Sequence, residues 1–432
     1  MPAPRKRKPA AAPTRSSKRV RVPPPNSNAP TTTTALAPRR RKTDQLSPLP
    51  YHILLEIFLC AASNPKLPHD WPEHKFLLNL ATVCRRFLAP ALAALYRNPP
   101  TKPPLRAHQL LRTLRAHPEL ARKVQHLSLE AEPLLRLTAF GFGRFDVAAA
   151  AAACTNLRSL WIGGDGARWK YPAALFAALA GARLRSWHWD SAFLGAVAPA
   201  HAHAGALAGV TRLSVRGDGG VVAALGALPQ LRELALEEWG GRGEELPGAL
   251  RLTALTLTRC ELGAAELAAL LAAPACARLR ALRVLNCAQC SLAILGALPP
   301  ALEVLEFDGR AQAVALLPAG TRARWPAPLR ALRLTYLQNW DGADLEGFLD
   351  ELVAAAARMP MLRVFEIYGI LASLGWRERA RIRDEYEGRL RKAFVRADEM
   401  AGASGHCERD RVLIRFDNAR PAERLFEEDD FE

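Results

Sequence analysis

Acidic residues are missing from the first 43 positions, which carry twelve Lys or Arg and no Asp or Glu. The whole chain is +17 over 432 residues, so removing the +12 of this tail leaves +5 for everything else. The folded part is close to balanced, and the pI near 10 belongs mostly to the tail. No run reaches the 18 or so apolar residues of a membrane span, and no leader with an apolar core stands behind the N-terminal charge. Eight cysteines are scattered through Leu-rich sequence without a framework, which points to reduced thiols in a cytosolic or nuclear compartment. Chemistry is also scarce. No Ser/His/Asp or Cys/His grouping stands out, and Gly163-Gly164-Asp165-Gly166 lacks the Lys-Ser/Thr of a phosphate loop. His201-Ala-His203 sits in an Ala/Gly-rich stretch and reads as solvated. Cys287-Ala-Gln-Cys290 is one isolated pair; zinc would need two more ligands, for which Cys260 and Cys276 are candidates only in principle. The expectation is a non-enzyme without metal or cofactor, with half of its residues hydrophobic and ample length for at least one sizeable core.

What is present divides the chain. Residues 1–43 are rich in Pro, Ala, Thr and Ser, with few large apolar side chains, and are expected to be disordered. Lys6-Arg7 is followed by ten residues and then Lys18-Arg19-Val20-Arg21. This spacing resembles a bipartite nuclear localisation signal. The resemblance implies importin as a partner, through Lys6, Arg7, Lys18, Arg19 and Arg21, and the nucleus as location, with the cytoplasm also open. A third cluster is Arg39-Arg40-Arg41-Lys42. A solvated tail with weak polyanion affinity and a nucleic-acid role are the alternatives.

Residues 44–99 read as a small helical domain. Leu49, Ile53 and Ile57 fall four apart, Leu54 and Phe58 line the neighbouring face, and Leu55 and Leu59 a third. A Pro-rich insertion, 63–74, reads as a loop. A second apolar helix is expected through "KFLLNLATVCRRFLAPALAALYRNP", with Leu77, Leu80, Cys84 and Phe87 on one face and Val83 toward another. About 50 residues are too few to surround two helices that are apolar nearly all round, so some of that surface needs a cover from outside.

"LSPLPYHILLEIF…LLNLATVCRRF…LYRNP" resembles an F-box in the form common in fungal proteins, over Leu46 to about Pro99. The insertion before Phe76 departs from that pattern by lengthening the link between the helical halves. The resemblance implies a partner, the Skp adaptor of Skp–cullin–F-box ubiquitin ligases, and through it a cullin. By the same resemblance Leu49, Pro50, Ile53, Leu54, Ile57, Leu80, Val83, Cys84 and Phe87 form or support the docking surface.

A linking helix is expected within 100–123, with Leu111 and Leu114 on one face. From Val124 a frame of apolar, two variable, apolar, one variable, apolar recurs. It occurs as Val124/Leu127/Leu129, Leu157/Leu160/Ile162, Leu184/Trp187/Trp189, Val210/Leu213/Val215 and Leu231/Leu234/Leu236. It continues as Leu252/Leu255/Leu257, Leu279/Leu282/Val284, Leu302/Leu305/Phe307, Leu329/Leu332/Leu334 and Leu362/Phe365/Ile367, at steps of 21 to 33 residues. The pattern resembles leucine-rich repeats, with Cys260 and Cys287 in the usual Asn/Cys position. The resemblance implies an irregular solenoid over 124–371, in which stacking buries what one repeat cannot. Trp187 and Trp189 are bulky for interior positions and suggest a local widening. Residues 372–432 read as a helical cap, with Ile382, Tyr386, Leu390 and Phe394 at four-residue steps, then a last strand in "RVLIRF" and an acidic tail.

The expected fold class is therefore α/β: a small all-α domain followed by a repeat sheet with a helical cap. The open strand positions carry Trp161, His188, Arg212, Arg216, Glu233, Glu237, Arg283, Glu306 and Arg333. Their mixed signs suit an unknown protein client on a concave face better than nucleic acid, which favours one sign with interleaved aromatics. The expected role is a substrate-recognition adaptor of a ubiquitin ligase; the alternative is a non-degradative nuclear scaffold. No membrane association is expected.

Overall fold

The structure, a computed structural model, describes residues 49–62, 74–130, 145–164, 171–190, 204–217, 225–226, 228–240, 246–290, 292–308, 325–335, 342–356, 359, 361–368, 375–400 and 413–417. The basic tail with Lys6, Arg7, Lys18, Arg19 and Arg21, residues 63–73 of the expected loop, His201, His203 and the acidic terminus lie outside these residues, while His74, the last residue of that expected loop, instead begins a helix. Two compact units divide the chain, Met1–Leu49 and Pro50–Glu432.

Three helices open the second unit: α1 (Tyr51–Ala62), α2 (His74–Val83) and α3 (Arg85–Arg97). The single helix expected over 75–99 is thus two. The break falls at Cys84, whose φ of −159° and ψ of 161° are extended backbone. Two β-branched residues, Thr82 and Val83, precede it and favour helix less. The Thr82 hydroxyl donates to the Asn79 carbonyl at 2.7 Å, and the Phe87 N–H donates to the Cys84 carbonyl at 3.0 Å to begin α3. The break lets α3 fold back on α2, and α1 packs against α3. Leu54, Phe58, Ala62, Leu77, Ala91 and Ala94 form a core of their own, with Leu80 and Phe87 half-buried at its margin. Phe58 and Phe87 meet edge to face at 5.1 Å.

The helical region is not cut off at residue 99. Tyr96 of α3 packs against the large second core, and the Gln125 N–H donates to the Arg97 carbonyl at 3.0 Å. The link is helical as expected, α4 (Pro104–Ala116) and α5 (Pro118–Ala121), with Leu111 and Leu114 buried.

Eleven five-residue strands follow: β1 (His126–Glu130), β2 (Ser159–Gly163), β3 (Ser186–Asp190), β4 (Arg212–Arg216), β5 (Glu233–Glu237), β6 (Ala254–Thr258), β7 (Ala281–Leu285), β8 (Val304–Asp308), β9 (Ala331–Thr335), β10 (Val364–Tyr368) and β11 (Leu413–Asp417). They form one sheet in sequence order, and every neighbouring pair is parallel. The chain is therefore mixed α/β, and the last strand expected at "RVLIRF" joins the sheet as β11. All three frame positions in every repeat, Val124 to Ile367, are buried. Burying a Leu or Val side chain contributes roughly 1.5–3 kcal/mol.

Between strands run α6 (Val147–Ala153), α7 (Ala173–Ala180), α8 (Ala204–Leu207), α9 (Ala264–Ala272), α10 (Gly342–Ala356) and α11 (Trp376–Met400), with 3-10 turns at Pro274–Cys276 and Leu292–Gly296. Asp146 starts α6 by accepting the Ala149 N–H at 2.9 Å. On α11, Ile382, Tyr386, Leu390 and Phe394 are buried, and the Tyr386 hydroxyl donates to Asp350 of α10 at 3.1 Å. Trp187 and Trp189 do lie inside, stacked at 5.3 Å, with Tyr171 and Phe176 around Trp187. There the β2–β3 pairing stops after three residues, where most pairs keep five.

Candidate functional site

The helical region leaves apolar side chains outside its core. On α1 the buried stripe is Leu54, Phe58 and Ala62, and the opposite face exposes Ile53, Ile57 and Cys60. Ile57 is 45% exposed and Val83, at the end of α2, 65%. Leu78 of α2 and Leu88 of α3 are exposed as well, though neither stood out in the sequence. Of the residues expected to form the surface, Pro50, Ile53, Ile57, Val83 and Cys84 are exposed, as is Leu49 before the first turn. Leu54 is buried, and Leu80 and Phe87 are half-buried against the core, so these three support the surface from beneath.

His74 ties this region together: its Nε2 donates to the Asn98 carbonyl at 2.8 Å, closing the start of α2 on the end of α3. Burial pushes the imidazole pKa down, the Asn98 bond opposes that, and the Arg106 charge adds to the lowering. The folded form therefore gives up its proton more readily than an unfolded His, which takes one near pH 6.5. Stability from His74 is present above that pH and is lost as pH falls through it, because the unfolded chain then binds the extra proton. The urea midpoint of the wild type is expected to fall more between pH 7 and 5.5 than that of His74→Gln, which keeps a donor but does not titrate; equal falls would contradict this.

The sheet presents its odd strand positions on one face. The middle positions are in register: Ser128, Trp161, His188, Ser214, Ala235, Thr256, Arg283, Glu306, Arg333, Glu366 and Arg415. From β1 to β6 the row holds no Asp, Glu, Lys or Arg. Trp161 stacks on His188 at 5.5 Å, and His188 Nδ1 is hydrogen-bonded to the Ser214 hydroxyl at 2.9 Å. Gly163 makes room for this, since a Cβ there would lie 2.5 Å from the Trp161 ring. Two hollows, of about 150 and 350 Å³, lie along this part of the face and share Ser186 and Ser214.

From β7 to β10 the row alternates in charge, and the charges pair. Arg283 Nε lies 3.8 Å from Glu306, and Arg333 Nε 2.6 Å from Glu366. Glu306 is 2% exposed, and the Arg333 side chain 11%. These two are not the open contact positions that the sequence suggested; flanking strands and their own partners cover them. Arg212 pairs with Glu233 at 2.9 Å and Arg216 with Glu238 at 2.8 Å, while Glu237 pairs with Arg259. The Arg216 hydrogen bond holds the Glu238 carboxyl below its usual range. Much of the mixed sign read along the row is therefore internal pairing. Glu238 and Arg259 sit at φ of 56° and 54°, just past β5 and β6, in left-handed backbone.

The cysteines have structural partners. Cys260 Sγ donates to the Leu236 carbonyl at 3.3 Å, and Cys290 Sγ to that of Leu262 at 3.2 Å. Cys260 is raised well above the thiol range, first by its bond to Cys287 and then by burial. At Cys287 the bond to Cys260 pulls down, but the Cys290 bond and burial outweigh it, pushing the thiol up to about 12. Burial pushes Cys154 up to about 12 and Cys276 to about 11. Among the described residues, no group of three or more His, Cys, Asp or Glu is placed to hold a metal ion. Iodoacetamide at pH 8 is expected to label only Cys60 and Cys84 among the seven described cysteines, the two that are exposed, until the chain is unfolded. Labelling of Cys260 or Cys287 in the native protein, read by peptide mass mapping, would contradict that burial.

No protein-family model matches the chain, and no curated protein matches it significantly.

The site thus consists of an apolar surface on three helices and a long sheet face. Among the described residues, no helix is long and apolar enough to cross a membrane.

Proposed function

We propose that this chain is the substrate-recognition subunit of a Skp–cullin–F-box ubiquitin ligase. One observation carries the reading: Ile53, Ile57 and Val83, at the positions of the F-box resemblance, stand exposed outside both buried cores. Six or more accessible apolar side chains on so small a region favour a partner that excludes water from them. The in-order parallel sheet, with its repeating frame buried, supports a leucine-rich-repeat solenoid that takes a protein client. The chain then acts as a bridge: the helices grip the adaptor, the sheet holds the client, and proximity to the charged ubiquitin carrier raises the effective concentration of client lysines. On this reading the protein is not itself an enzyme, and the basic tail directs it to the nucleus through importin.

The test is co-purification of the full chain with the Skp adaptor and cullin, beside a Leu49→Ala/Pro50→Ala form. The wild type is expected to retain both partners and the double variant to lose them while remaining folded by circular dichroism. No retention by the wild type would end the ligase reading. Client turnover that is unchanged in the double variant would favour a non-degradative scaffold instead.

A further inference from the structure

The residue just before each strand forms a row of its own. Its N–H donates to the carbonyl of the matching residue one repeat earlier: Arg158 to Gln125, Arg185 to Arg158, Thr211 to Arg185, Arg232 to Thr211, Thr253 to Arg232 and Arg280 to Thr253, all at 2.7 to 2.8 Å. This backbone ladder fixes the row along the N-terminal edge of the sheet, one position per strand, about 4.8 Å apart. Arginine recurs in it because six repeats read Leu-Arg immediately before the strand, at residues 157, 184, 231, 279, 329 and 362.

A second line of cations runs beside the first. Arg183, Arg251 and Arg278 each precede the first buried residue of the frame. Arg158, Arg183, Arg185, Arg232, Arg251 and Arg278 are all exposed. Described carboxylates near this edge are few: Glu233, held by Arg212, and Glu303, held by Arg280 at 2.6 Å and near Arg330 at 4.0 Å. No ion pair joins Arg158, Arg183, Arg185, Arg232, Arg251 or Arg278 to a described carboxylate. The near-neutral charge of the folded part therefore hides an uneven distribution.

We propose that this edge, from β2 to β7, is an interaction surface for an extended acidic peptide segment of a partner protein. Guanidinium groups suit carboxylates through paired N–H donors. An extended peptide repeats its same-side side chains about every 6.7 Å, and flexible Arg arms spaced at one or two strands can meet that repeat. The row itself holds Gln, Arg, Thr and Glu and no aromatic side chain, which is the element a single-stranded nucleic-acid platform adds to its cations. This surface is separate from the apolar helices and does not depend on adaptor docking.

The experiment uses the full chain with all twelve cations of residues 1–43 replaced by Gln, so that the tail does not compete. The probe is a fluorescein-labelled ten-residue peptide of alternating Glu and Ser, followed by anisotropy at 50 and 300 mM salt. The proposal expects binding at low salt that weakens at high salt. Arg158→Gln/Arg185→Gln/Arg232→Gln is expected to weaken it on the order of tenfold. Arg377→Gln/Lys392→Gln/Arg396→Gln removes the same charge from α11 and is expected to change affinity less than about twofold. No binding, equal loss from both triple variants, or tighter binding of a ten-nucleotide oligo-dT than of the peptide would each overturn the proposal. Adaptor capture is scored separately, so its failure would leave this result standing.

Discussion

Replacing Ile53 and Ile57 together by Glu is expected to abolish adaptor capture and leave the fold intact. Both residues lie outside the buried core, Ile53 at 38% and Ile57 at 45% exposure, so the isolated chain loses only peripheral contacts and far less stability than truncating a core residue would cost. At an interface they are apolar anchors, and hot-spot side chains contribute about 2 kcal/mol or more each. Two such losses amount to roughly a thousandfold in affinity, before the cost of burying carboxylates is added. Leu54→Ala is the counterpart one residue away. Leu54 belongs to the buried core, so its truncation is expected to cost about 2–5 kcal/mol of stability. Surface plasmon resonance on immobilised adaptor and thermal unfolding of the same proteins would separate the two effects. Full adaptor binding by the double Glu variant would move the docking surface elsewhere.

Glu366→Ala should produce the largest stability loss of any single charge removal on the sheet face. Its side chain is 7% exposed, and the Arg333 guanidinium that it faces is 11% exposed. Removing the carboxylate takes negative charge away from beside a cation that little water can reach, and breaking a buried pair costs about 3–5 kcal/mol. Replacing both partners by residues of similar shape, Arg333→Met/Glu366→Leu, removes the buried charges together and is expected to fall within about 1–2 kcal/mol of the wild type. Urea midpoints compared across wild type, single and double variants test this. Equal destabilisation of single and double variants would show that the side chains matter for shape and not for charge.

Both predictions turn on a distinction between what a sequence pattern encodes and what packing decides. Frame residues such as Leu160, Leu282 and Phe365 could be assigned to the interior from spacing, because a strand alternates faces and a repeat cannot bury itself. The C-terminal helix was legible for the same reason, from four-residue steps at Ile382, Tyr386, Leu390 and Phe394. The break at Cys84 was not. Leu77 to Phe87 keeps helical spacing straight through it, and only the chance for α3 to fold back over a shared core favours the extended residue. The arginine edge is written as Leu-Arg pairs before strands, but those arginines form one row only once the strands stack in register.

By itself the sequence determined the number and order of the strands up to β10, the inward face of each, the α/β class and the concentration of positive charge in the tail. Those follow from local periodicity and composition, which act through near neighbours. Tertiary structure alone decided that Leu54 is buried while Ile53 is not, that Glu306 and Arg333 are paired under cover, and that arginines 27 to 48 residues apart line one edge. Each of these depends on which distant segments come together, and long-range burial and charge pairing arise only once the strands are stacked in register.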